Sequence, residues 1–110
     1  LCAVMTRVPV LVVAGPTASG KTALAVKLAR HFGTEVVSAD SRQVYRELRI
    51  GVSRPTDNEL QQVRHHFVAT HSIHEPFTAG DFQREARLVV SDLISRFGCA
   101  VVCGGTGLYL

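Results

Sequence analysis

Two short, unbroken apolar runs stand out along the chain, residues 10–14 (VLVVA) and residues 99–103 (CAVVC), with a third strand-like stretch at residues 34–39 (TEVVSA). Unbroken apolar runs of this length are what a strand covered on both faces requires, as in a parallel sheet. Residues 21–32 (KTALAVKLARHF) carry a different period. Leu24, Leu28 and Phe32 recur every four residues, Ala25 and Ala29 fill the same side, and Lys27 and Arg30 belong to the opposite one. This predicts a helix with one buried side, closed by Gly33. The strongest helical period runs over residues 79–97, where Phe82, Ala86, Val89, Val90, Leu93, Ile94 and Phe97 fall on one face and Gly98 follows as the stop. Thr56 and Glu59 have the spacing of a capping box and predict a short helix through Val63. Residues 67–69 (FVA) read as a small strand, and residues 41–51 (SRQVYRELRIG) as a connection with a helical turn over 43–46. The order strand, helix, strand, helix, strand predicts an α/β fold: a doubly wound parallel sheet.

Composition narrows this only a little. At 110 residues, 46% hydrophobic and 19% charged, without repeats, the chain is at most one globular domain. The net charge of +3 is compatible with RNA, but no basic run or arginine-aromatic stripe concentrates it. Cys2, Cys99 and Cys103 make an odd count without a C-x-x-C pair, which points to buried free thiols rather than a disulfide or metal set. Residues 8–14 are too short for a signal-peptide core and are interrupted by Pro9. No run approaches the roughly 18 apolar residues of a membrane span. The expectation is a cytoplasmic protein with no membrane contact. The chain opens at Leu1, with Met5 as a candidate native start, and stops at GGTGLYL, where a new helix is expected to begin. It therefore reads as the N-terminal part (residues 1–110) of a longer catalytic domain, with an incomplete sheet and flexible residues 1–6.

The chemistry concentrates behind the first strand. Gly15-Pro16-Thr17-Ala18-Ser19-Gly20-Lys21-Thr22 fits G-x-x-x-x-G-K-[ST], the P-loop, and lies between a strand and a helix as that motif demands. Backbone N–H groups and the helix dipole make such a loop an anion site. Lys21 adds a full positive charge and Thr22 a hydroxyl suited to magnesium. In a parallel sheet, ligands bind beyond the carboxyl ends of the strands. That rule brings together the P-loop, Asp40 after the second strand, and Gly104 to Thr106 after the last. Nucleotide-hydrolysing P-loop proteins usually carry an acid at a strand end to hold magnesium. Here the last strand ends in Gly-Gly-Thr. Asp40 is left with three readings: a magnesium ligand, an acceptor of a proton from an attacking group, or an exposed turn or N-cap residue.

The segments GPTASGKTALA, VVSADSRQVYRELRIG, RPT, HHF and GGTGLYL resemble, in order and spacing, the N-terminal part of the tRNA dimethylallyltransferases, also called tRNA isopentenyltransferases. The likeness runs from Val10 to Leu110 and departs from the family's Gly-Thr-Ala/Gly-Lys-Pro-Thr segment at Val52 and Arg54. The resemblance implies a P-loop NTPase-like fold and transfer of a dimethylallyl group to the N6 amine of the adenine at tRNA position 37, next to the anticodon. It further implies that dimethylallyl diphosphate, rather than ATP, fills the loop formed by Gly15, Pro16, Thr17, Ala18, Ser19, Gly20, Lys21 and Thr22. Asp40, Thr17 and Lys21 take catalytic roles, with Asp40 as the base. Asp40, Ser41, Arg42, Gln43 and Thr106 touch the tRNA, and magnesium assists, with Thr22 as its ligand. A monomer is expected. The competing classes are a P-loop kinase of a small molecule or nucleotide, in which Asp40 serves the acceptor hydroxyl or magnesium, and a non-catalytic nucleotide-binding module.

Other polar residues invite blander readings. His65, His66, His71 and His74 have no partnering cysteine pair or carboxylate cluster at ligand spacing, so no metal site is expected of them. Tyr45 reads as a turn-packing aromatic, and Arg42 and Arg46 equally as phosphate contacts or solvated surface.

Overall fold

The computed structural model describes residues 3–7, 9–14, 20–39, 44–47 and 55–104, with the backbone alone for residues 3–7. Five strands and three helices are found there: β1 (Ala3–Arg7), β2 (Val10–Ala14), α1 (Lys21–Phe32), β3 (Val36–Ser38), α2 (Asp57–Gln62), β4 (His65–His66), α3 (Ala79–Phe97) and β5 (Ala100–Gly104). The sheet order is β1-β2-β5-β3-β4. Strands β2, β5, β3 and β4 are mutually parallel. The last strand in the chain therefore sits in the middle of the sheet, between β2 and β3.

Alternation along the central strands explains the unbroken apolar runs. Val13, Val36, Val101 and Cys103 face α1 and pack with Ala25, Val26, Ala29 and Val63. Val37, Ala100 and Val102 face the other way and pack with Ala86 and Leu93 of α3, and with Val44 and Phe67. Because side chains alternate along a strand, two covered faces demand apolar residues at every position. The two helix layers enclose one sheet.

Helix ends follow the sequence signals. Thr56 caps α2, accepting the Glu59 N–H at 3.1 Å while the Glu59 carboxylate accepts the Thr56 N–H at 2.9 Å. Thr78 and Asp81 form the same reciprocal pair at the start of α3. At its end, the Gly98 N–H donates to the Ile94 carbonyl at 2.9 Å.

The parallel sheet expected from the sequence is formed by β2, β5, β3 and β4, and β1 joins its edge antiparallel to β2, from Ala3 opposite Ala14 to Arg7 opposite Val10. Only two residues separate the paired ends, and a connection that short can join only antiparallel strands. Residues 3–7 are thus an edge strand of the sheet, and three finer expectations are corrected. The small strand expected at residues 67–69 lies instead at His65–His66. Phe67 and Ala69 adopt positive φ (66° and 55°), which breaks the ladder and turns the Phe67 ring inward, 5.2 Å from that of Phe82. The second strand is shorter than residues 34–39; buried Thr34 instead donates its hydroxyl to the Cys99 carbonyl at 2.7 Å. Phe97, counted on the buried face of α3, is 39% exposed at the last turn.

Candidate functional site

The register of the central strands sets the geometry. Ala14 at the end of β2 lies opposite Gly104 at the end of β5, and Ser38 at the end of β3 lies opposite Cys103. The Ala39 N–H donates to the Cys103 carbonyl at 2.8 Å, so the chain after β3 is held against β5. Neighbouring strands are about 4.8 Å apart. The chain therefore leaves the sheet at residues 14, 39 and 104 from three adjacent points on one edge, with β5 in the centre.

The start of α1 has the character of an anion site. Gly20 precedes the helix at φ 80°, ψ 12°, in the left-handed region. A Cβ there would meet no atom within 4 Å, so the backbone angle, not space, calls for glycine. Gly20 offers no side chain to cap the helix, and the first turn contains no acid. The positive end of the helix dipole at this point favours an anion. Lys21 is only 5% exposed at the first position, and Thr22 is half-buried beside it. Of the predicted site residues these three, Gly20, Lys21 and Thr22, are described. Gly15, Pro16, Thr17, Ala18, Ser19, Asp40, Ser41, Arg42, Gln43 and Thr106 lie outside the described residues.

A second feature had no sequence signal. Residues 44–47 are fastened to residues 70–75. The His71 N–H donates to the Val44 carbonyl at 2.9 Å, and the Arg46 N–H to the His71 carbonyl at 2.8 Å. The Glu47 carboxylate accepts the Ser72 hydroxyl at 2.8 Å and the Ile73 N–H at 2.9 Å. These bonds hold the Glu47 carboxyl below its ordinary range, the Ile73 N–H first and the Ser72 hydroxyl second. Arg46 donates to the Thr70 carbonyl and pairs with Glu75, so its guanidinium is engaged within the chain. Tyr45 packs against the α3-side core, as a turn aromatic should.

The histidines have structural places. His66 donates from Nε2 to the Glu35 carboxylate at 2.8 Å, and His71 stacks on Phe77 with ring centres 4.0 Å apart. His65 donates from Nδ1 to the Val63 carbonyl at 2.8 Å, and its Nε2 is buried without a partner among the described residues. Burial pushes its pKa down, only partly offset by that carbonyl and by Glu59. Among the described residues, no three His, Cys, Asp or Glu side chains are grouped to hold a metal ion. No described helix is long and apolar enough to cross a membrane. Cys99 and Cys103 are not joined in a disulfide, and Cys103 is buried. A groove of about 750 Å³ runs between α1 and α2, lined by Lys27, Arg30 and Gln62 among others, away from the strand ends.

The family model for IPP transferase matches residues 43–110. The chain belongs to the IPP transferase family. A tRNA dimethylallyltransferase of Chlorobium limicola is 54% identical to it over 102 residues, 93% of this chain and 32% of that protein. One from Streptococcus pyogenes is 43% identical, over 96% of this chain and 36% of its own length. The crystal structure of the full-length tRNA isopentenylpyrophosphate transferase from Bacillus halodurans is similar at a TM-score of 0.76 and 40% identity, covering 89% of this chain and 32% of that one. A eukaryotic dimethylallyltransferase acting on tRNA is similar at a TM-score of 0.72 and 27% identity. The α/β fold read from the sequence is the fold of these IPP transferases. The chain spans about a third of the length of the curated relatives it matches.

Proposed function

We propose that this chain supplies the diphosphate-binding and acceptor-activating part of a tRNA dimethylallyltransferase. The observation that carries the reading is the convergence of three strand ends around β5, beside a helix whose N-terminus has no side-chain cap and begins with buried Lys21. The donor is dimethylallyl diphosphate, bound by the loop of residues 15–22. The acceptor is the N6 amine of an adenine beside a tRNA anticodon, brought to Asp40 by leaving its stack.

An adenine amine is a weak nucleophile because its lone pair is delocalised into the ring. The Asp40 carboxylate accepts the N6 proton as N6 bonds to the allylic carbon. The carbon–oxygen bond to the diphosphate breaks, and its electron pair leaves with the diphosphate. The loop N–H groups and Lys21 stabilise the charge that accumulates there. The half-buried Thr22 hydroxyl, a hard oxygen next to Lys21, fits a magnesium ion; when bound, that ion supplies further charge neutralisation for the leaving group. Ser41, Arg42, Gln43 and Thr106 contact the tRNA in this reading.

The test uses the full-length enzyme with labelled dimethylallyl diphosphate and tRNA, without ATP. Label should enter the RNA. Asp40→Asn should lower turnover about 10²–10⁴-fold with donor affinity little changed, since it keeps the shape but cannot take the proton. Strict ATP dependence with a phosphorylated product would move the assignment to a P-loop kinase.

A further inference from the structure

The density of bonds on residues 44–47 exceeds what a surface connection needs. Val44 is 1% exposed within the α3-side core. The Tyr45 hydroxyl donates to the Phe77 carbonyl at 3.5 Å. Arg46 is tied by backbone to His71 and by side chain to Thr70 and Glu75. Glu47 closes the set with both carboxylate oxygens engaged, one of them on Ser72, which is itself 8% exposed. All this lies immediately downstream of residues 40–43. Upstream, Ala39 is bonded to Cys103 of β5. By connectivity alone, none of those four residues is more than two positions from an anchored one.

We infer that Glu47 is a positioning residue for the acceptor side of the reaction: its double bond to Ser72 and Ile73 fixes the downstream anchor of the loop that carries Asp40. This rests on the function proposed above. Glu47 has the chemistry for the task. A carboxylate accepts two donors at once, and charge-assisted bonds are stronger than neutral ones. Glu47 is itself exposed, but its partners precede Phe77, whose ring meets that of Phe82 on α3, and Ser72 is buried, so the bonds tie the exposed carboxylate to a segment held by the α3-side core. Residues 15–20 connect β2 to α1, and β2 lies on the opposite side of β5 from β3.

The prediction is a split between catalytic parameters. In the full-length enzyme, Glu47→Ala should lower kcat about tenfold or more, since misplacement of a reacting group by about 1 Å costs up to roughly 10²-fold. KM for dimethylallyl diphosphate should stay within about twofold, because uniform donor binding is untouched. Glu47→Gln, which can accept the Ile73 N–H and donate to the Ser72 oxygen, should recover most of the rate. A double-mutant cycle decides the route. In an Asp40→Asn background, Glu47→Ala should produce little further loss, as expected when one residue acts through the other. Equal losses in both backgrounds, or a lowered melting temperature with unchanged kcat, would overturn the inference. So would a donor KM that rises in step with the fall in kcat. Normal turnover by Asp40→Asn alone would instead refute the assigned base, a separate result from the same assay.

Discussion

Leu93 offers the sharpest test of the architecture. It is fully buried on α3 and sits against the sheet with Ala86, Ala100 and Val102. Leu93→Ala removes three carbons, and at about 0.8 kcal/mol per buried group the transfer term is roughly 2.4 kcal/mol. A cavity term adds to this when neighbours cannot move in. The Leu93 cluster includes two alanines, too small to fill the gap, and β-branched Val102 in the central strand, so closure is poor. The expected loss is about 3–4 kcal/mol, within the range for buried leucines. For a domain of about 100 residues that lowers the melting temperature by roughly 10–25 °C. Leu88, on the same helix but 71% exposed, is the internal control, and its alanine variant should stay within about 0.5 kcal/mol. Urea titrations followed by far-UV circular dichroism measure both differences. A loss below about 1 kcal/mol for Leu93→Ala, or equal losses at the two positions, would refute the packing of α3 on β5.

Two further predictions concern charge. Lys21→Ala should weaken binding of the diphosphate donor by roughly 10²-fold and slow transfer, because a buried cation beside the anion is lost; calorimetric titration with the donor and steady-state rates check this. His65, whose pKa lies below its ordinary 6.5, resists protonation when folded, so stability should fall as pH drops from about 6.5 toward that lower value. Urea midpoints at pH 7.5 and 5.5 should differ more for the wild type than for His65→Gln, whereas Glu47 and Asp81, both held below their ordinary ranges, contribute only at more acidic pH.

What was legible in the sequence is what local chemistry controls. The bounds of α1 and α3 follow from the apolar period and the residues at their ends, and the capping box of α2 from two side chains three apart. The convergence of strand ends was also legible, because the topology of a parallel sheet fixes it once the P-loop locates the first strand. Edge strand β1 was not legible, since its pairing with β2 depends on backbone bonds that the polar-apolar pattern of AVMTR does not advertise. Strand β4 was misplaced because two residues give no period and Phe67 looks like a strand residue until its positive φ is known. The Glu47 anchor joins residues 25 and 26 positions apart in the chain, through a carboxylate that reads in sequence as ordinary surface charge.

The two cores divide the proposed reaction between them. The α1 side, built on Val13, Ala25, Val26 and Ala29, lies next to the helix start proposed to meet the diphosphate. The α3 side, built on Leu93, Ala86 and Phe67, holds Val44, four positions after the proposed base. Strand β5 is common to both, with Val101 and Cys103 facing one core and Ala100 and Val102 the other. A buried strand moves as a unit, because a close-packed interior transmits displacement rather than absorbing it. In the proposed reading, β5 and its two neighbours are the common frame from which the donor and acceptor segments leave the sheet. Strand β5 ends at Gly104, opposite Ala14, so the central strand brings no acidic side chain to this end of the sheet; in the proposed reading the charge of the leaving diphosphate is met by Lys21 and the helix N-terminus instead.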